Sequence, residues 1–216
     1  MAKRRRTQQI QRRGTRASEE ALNRPLTAGR RFDPRLLIVG GILVVGVIVL
    51  IVVMITISGP NPSAGTLQAD KGGGHVADGT NVRAGDPSAY ASLPGTSGPH
   101  WGTPDNWGIY TQPQAESQLI HNLEHGGIVV WYQADQLDAT SLQQLTDWVQ
   151  SQVRSTRFKV ILSPWAGADF GHPIAITAWN YLLYQDTLDL GAVQGFMDAH
   201  YGRSPEPNGG PGPPGT

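Results

Sequence analysis

The chain has 216 residues, 39% hydrophobic and 16% charged, with Gly 27, Pro 16 and no Cys. The lack of Cys excludes disulfide scaffolds, thiolate metal sites, cysteine nucleophiles, thioredoxin-type redox chemistry and a lipoprotein anchor on an acylated cysteine. The formal net charge of zero hides two opposed parts: residues 1–35 carry 11 Lys and Arg against 3 acids, residues 59–216 carry 6 against 14, and residues 36–58 carry none.

Residues 1–35 include Lys3-Arg-Arg-Arg6, Arg12-Arg13 and Arg30-Arg31 and few large apolar side chains, a composition that does not fold alone. The next 23 residues, 36–58, are apolar without interruption by charge. As a helix they would extend about 34 Å, enough for a bilayer core of about 30 Å. A signal peptide has a shorter apolar run, about 7–15 residues, and a small-residue cleavage site; no Ala-x-Ala closes this one. The expectation is one transmembrane helix over 36–58. Its basic flank marks the cytoplasmic side, so the basic tail faces anionic lipid rather than nucleic acid and the rest of the chain lies outside the cell membrane.

Gly59-Pro-Asn-Pro-Ser-Ala-Gly65 reads as a helix-breaking start to a linker, 59–71. Residues 204–216, dense in Pro and Gly, read as a disordered tail that does not pack. Between them, residues 72–203 are long enough for one extracytoplasmic domain with a modest core. Residues 72–115 read as irregular loops. A short helix is expected over 116–125, stopped by Gly126-Gly127. Ile128-Val-Val-Trp-Tyr132 reads as a buried strand. A helix follows over 138–153, with Leu142, Leu145, Trp148, Val149 and Val153 on one face. Strands are expected over 158–162, ended by Ser163-Pro164, and over 174–179. A closing helix over 188–201 would turn Leu190, Val193, Phe196 and Met197 inward. The element order predicts an α+β or α/β fold, taken here as α+β: a small sheet and two or three helices after one transmembrane helix.

The chemistry sits in six histidines, all after residue 58: His75, His100, His121, His125, His172 and His200. In His121-Asn-Leu-Glu-His125 the two imidazoles share a helix face at four-residue spacing and can reach one metal ion, with Glu124 as ligand, orienting acceptor or base. His75 follows Gly72-Gly-Gly74, and His100 closes Pro94-Gly-Thr-Ser-Gly-Pro-His100, loops that present a ring with little freedom. The first string also fits the His-x-x-Glu-His pattern of inverted zinc peptidases. The acidic ligand such enzymes take from a later helix has no counterpart, since the only later Glu is Glu206 in the tail.

Thr96-Ser-Gly-Pro-His100, Trp107-Gly-Ile-Tyr110 and His121-Asn-Leu-Glu-His-Gly-Gly-Ile-Val-Val-Trp-Tyr132 together resemble domain of unknown function family 3105, found on membrane-anchored bacterial and archaeal proteins. Pro173-Ile-Ala-Ile-Thr-Ala-Trp179 and Arg203-Ser-Pro-Glu206 extend the resemblance over roughly residues 70–206. It implies that His75, His100, His121 and His125 are the family-like histidines and brings no established activity. The chain departs at Leu93-Pro-Gly95, where the family more often has two prolines before Thr.

Imidazoles without thiolate suit copper or zinc as the divalent ion. The three methionines, Met1, Met54 and Met197, leave no Met cluster for Cu(I). No nucleophile elbow, phosphate loop or dinucleotide fingerprint is present, so no catalytic residue is assigned. Trp101 and Trp107 fall in loops and are expected in the core before a docking surface. Two functions follow. In one, a membrane-anchored metal-handling protein uses His121, His125, His100, His75 and Glu124. In the other, an accessory subunit packs its helix against a larger membrane complex, and its histidines are scaffolding.

Overall fold

A computed structural model of the chain describes residues 62–214, together with Ile38, Gly41 and residues 44–49. The expected basic tail lies outside the described residues, as does most of the expected membrane span. The chain forms two units, Met1–Ile57 and Ser58–Thr216. In the first, the described residues are helical and expose Ile38, Val44, Val45, Val47, Ile48 and Val49. No helix among the described residues is long and apolar enough to cross a membrane.

The second unit is an α+β domain. Its strands are β1 (Thr66–Leu67), β2 (His75–Val76), β3 (His100–Trp101), β4 (Gly108–Ile109), β5 (Ile128–Tyr132), β6 (Val160–Pro164), β7 (Ile174–Ala178) and β8 (Tyr181–Gln185). Its helices are α1 (Val82–Gly85), α2 (Glu116–Glu124), α3 (Ala139–Val153) and α4 (Leu190–His200), after a 3₁₀ turn at Pro62–Ala64. Six strands form one mixed sheet in the order β1-β8-β7-β5-β6-β4, and β2 pairs with β3 apart from it. The pairs β4–β6 and β5–β6 are parallel, and β1–β8, β5–β7 and β7–β8 antiparallel.

Strand β5 lies inside the sheet and is buried along its whole length, which explains its unbroken apolar run. Alternate residues feed two cores. Val129 and Trp131 join Leu119, Ile120 and Leu123 of α2 on one face. Ile128 and Val130 join Leu145 and Val149 of α3 and Val193, Phe196 and Met197 of α4 on the other. Asp138 caps α3 by accepting from the Thr140 and Ser141 amides, and Asp189 caps α4 by accepting from Ala192. Both therefore stand just outside the helices they start.

Two expectations give way here. The strand expected over 158–162 runs instead through Pro164, which pairs with Tyr132. Strand β4 reaches only Leu162 on the other side, so the missing proline N–H leaves no ladder bond unmade. The tail, expected not to pack, lies against the domain: the Glu206 amide donates to the carbonyl of Glu124. Trp107 Nε1 donates to the Pro211 carbonyl, and the Lys159 ammonium donates to the carbonyls of His125, Pro207 and Gly209. Pro and Gly bring little apolar area, but their carbonyls serve as acceptors for buried donors.

Candidate metal centre

Helix α2 supplies two donors. Leu119, Ile120 and Leu123 fix one side of it on the sheet, which leaves His121 and Glu124, three residues apart, on a shared face. The helix stops in a Schellman arrangement: Gly126 N–H bonds to Leu123 O and Gly127 N–H to Asn122 O. Gly126 has φ +79°, a conformation that glycine adopts without strain. The small parallel pair supplies the other two donors, because its register sets His75 directly opposite His100.

One ligand atom from each of His75, His100, His121 and Glu124 lies within 4.8 Å of every other. His100, His121 and Glu124 are buried, whereas the His75 side chain is 55% exposed. The rings interlock, with His75 to His100 at 5.0 Å, His75 to His121 at 4.8 Å and His100 to His121 at 4.9 Å between centroids.

Hydrogen bonds to carbonyls fix the tautomers, since a carbonyl oxygen only accepts. His121 Nδ1 donates to Trp101 O at 2.7 Å and His100 Nδ1 donates to Gly98 O at 2.9 Å. In the neutral rings both Nε2 lone pairs are left free. His100 Nε2 then meets Glu124 Oε2 at 3.1 Å, acceptor against acceptor, a contact that needs a proton or a metal ion between the two atoms. Burial, followed by the neighbouring histidines, pushes the His121 imidazole down to about 4, against the opposing effect of its bond to Trp101. It is thus neutral near pH 7, the form that ligates metals. A borderline divalent ion fits this donor set, and backbone carbonyls behind two of its imidazoles are the usual outer support of histidine ligands.

His125, expected in the first rank of ligands, stands outside the four-donor group. Its ring is 4.6 Å from that of His121 and its Nδ1, like those of His100 and His121, donates to a carbonyl, that of Glu206 at 3.2 Å. Gly209 and Gly210 pack over the ring, however, and it is not among the four residues whose ligand atoms converge. The paired-histidine geometry of an inverted peptidase is therefore not formed by the donor cluster, in which Glu124 takes the place beside His121.

The other histidines lie elsewhere. His172 pairs with Asp186 at 2.7 Å, and His200 Nε2 donates to Ala64 O at 2.7 Å. Trp107 is buried in the core. Trp101, whose carbonyl holds His121, lines with Trp165 a cleft of about 530 Å³ above the Arg83–Glu116 ion pair. Sequence reading missed the Gly73 backbone, which passes so close to Glu124 Oε1 that a side chain there would collide with it. The Gly72-Gly-Gly74 run was the available signal.

The sequence model of a family described as protein of unknown function (DUF3105) matches residues 81–211. The chain belongs to the DUF3105 family. The DUF3105 match takes in His100, His121 and Glu124 and begins after His75, so the exposed donor comes from the segment preceding it. No curated protein and no solved structure matches the chain.

Proposed function

We propose that this DUF3105 protein is a metal-handling protein of the cell envelope. A helix over residues 36–58 anchors it in the membrane, and a copper or zinc ion is held outside by His75, His100, His121 and Glu124. The observation that carries the reading is the convergence of three imidazoles and one carboxylate, all with ligand atoms within 4.8 Å, with two imidazoles oriented by carbonyls. Structural ion pairs do not need that orientation; metal ligands use it to aim a lone pair. The bound ion would act there as a Lewis acid or as cargo. The protein's part is to hold it with neutral nitrogens and one negative oxygen.

The membrane part of the reading is supported by the charge-free 36–58 segment and its basic flank, and by the aliphatic side chains exposed between Ile38 and Val49, which favour a lipid environment over water. Metal analysis of the full-length chain, extracted from native membranes without an affinity tag, tests the centre. About one equivalent of copper or zinc is expected, lost in His121→Ala and in Glu124→Ala. A metal-free chain that also refuses loading would remove the metal reading. Protease added to intact cells tests the topology: residues 59–216 should be cleaved and residues 1–35 protected.

A further inference from the structure

The four donors are not held alike. His100 and His121 each have the non-ligating nitrogen bonded to a carbonyl, and Glu124 is on a helix buried against the sheet. His75 has no hydrogen bond on its ring among the described residues. Its charged contact among the described residues is Glu124 Oε2 at 3.8 Å, too long for a hydrogen bond, and more than half of its side chain is exposed. The segment carrying it is attached by few bonds, gathered on residues 97–101, where its strand pairs with β3. Lys71 N–H donates to Ser97 Oγ, Gly98 and His100 amides donate to the carbonyls of Gly72 and Gly74, and Val76 alone brings an apolar side chain to the core. The loop expected to present the His75 ring with little freedom leaves that side chain more than half exposed, and the three consecutive glycines before it, Gly72 at φ +74°, give the stretch backbone freedom to swing.

Three fixed donors and one loose donor at the solvent side differ from a closed structural site, in which every position is filled by a held protein ligand. Catalytic zinc sites keep three protein ligands and leave the fourth position open to water or substrate, and an open position equally admits an incoming ligand. We propose that residues 70–76 form a strap that closes over the ion, that His75 is its displaceable ligand, and that the centre takes up and gives away its ion through the position His75 vacates. The incoming group is an uncharged nitrogen donor, an imidazole of a delivering or receiving protein. In the exchange one metal–nitrogen bond to His75 breaks as the incoming lone pair forms another, so no electron is transferred and the ion keeps its oxidation state. The proposal rests on the metal reading above and goes further, since a permanently closed four-ligand site would satisfy that reading equally.

The test uses the full-length chain and its His75→Ala and His75→Gln variants, each loaded with Cu(II), with imidazole as the probe of the vacated position. Release of Cu(II) to EDTA is followed in time, and copper electron paramagnetic resonance reports the nitrogen ligands. Both variants should take up the same equivalent as the parent but release it faster, by at least the effect of losing an outer-shell partner, about 10–100-fold. Added imidazole should slow that release and restore the parent's nitrogen couplings. In the parent, Cu(II) should protect residues 70–74 from proteolysis, and in the variants it should not. Equal release rates in parent and variants would overturn the strap while leaving the metal centre intact. Variants that stay folded by circular dichroism but take up no Cu(II) would also overturn it, by making His75 an indispensable ligand. A parent chain that takes up no Cu(II) would overturn the metal reading and the strap together.

Discussion

His100 Nε2 stands 3.1 Å from Glu124 Oε2 while the other nitrogen of the same ring is engaged by the Gly98 carbonyl. The side chains are buried, His100 completely. Two explanations satisfy the pair: a metal ion bound by both, or a second proton that turns His100 into a cation. Glu124→Gln separates them. The amide can donate to a neutral His100 Nε2, so thermal denaturation of the metal-free variant should match or exceed the parent while metal affinity falls at least tenfold, roughly 1.4 kcal/mol. A metal-free variant less stable by about 1.5–3 kcal/mol, the range for a hydrogen bond to a charged group, would mean that the pair is an ion pair in its own right.

Glycine at position 73 is required by the path of the chain over the carboxylate. A Cβ there would overlap Glu124 Oε1, whereas one on Gly74 meets nothing within 4 Å. Gly73→Ala should therefore weaken metal binding with little loss of stability, and Gly74→Ala should leave binding unchanged. Competition titration against a chromogenic chelator reads both. Equal behaviour of the two variants would contradict the close approach.

The metal-free protein should lose stability on mild acidification. His121 titrates at about 4 in the folded chain because it is buried, against 6.5 for an ordinary histidine. Between those values the unfolded chain binds more protons than the folded one, so stability falls as pH drops from about 6.5 to about 4 and levels off below. His200 is also lowered by burial and acts in the same direction. Urea midpoints measured at pH 7 and pH 5 should differ in the parent and differ less in His121→Gln. A flat profile in the parent would show that His121 is not held neutral.

Lys159 ties three carbonyls, those of His125, Pro207 and Gly209, at 3.0, 2.8 and 2.9 Å. Lys159→Met keeps the aliphatic stem but removes the donor. The expected result is a loss of about 0.5–1.5 kcal/mol, the net worth of a hydrogen bond whose partners water can partly reach, and faster proteolysis within residues 203–214. A tail as resistant as the parent's would show that these bonds do not hold it.

The elements readable from the chain were those with a repeating signal. The Ile128-Val-Val-Trp-Tyr132 run and the apolar face of residues 139–153 follow from burial on two sides of a strand or one side of a helix. Strand β8 escaped notice because Tyr181-Leu-Leu-Tyr-Gln185 has an irregular burial pattern, with none of the alternation that marks a half-buried strand. Strands β1 to β4 are two residues each, too short to carry any period, and their partners are distant in sequence. The four donors that the structure brings within 4.8 Å of one another, His75, His100, His121 and Glu124, were all among the residues singled out in the sequence. The position of His125 outside that group was not legible there, since it goes with Gly209 and Gly210 packed over its ring. Those contacts come from a tail whose composition gives no sign of packing.

That tail changes how the carboxyl end of this protein should be handled. The amide of Glu206 is bonded to the carbonyl of Glu124 itself, so this part of the tail lies beside the helix end that carries one of the four candidate donors. A polyhistidine purification tag fused after Thr216 would begin only a few residues beyond Pro211, where the chain is bonded to Trp107. It would bring competing imidazoles to the ion that the experiment sets out to count, and the amino terminus is the safer place for a label.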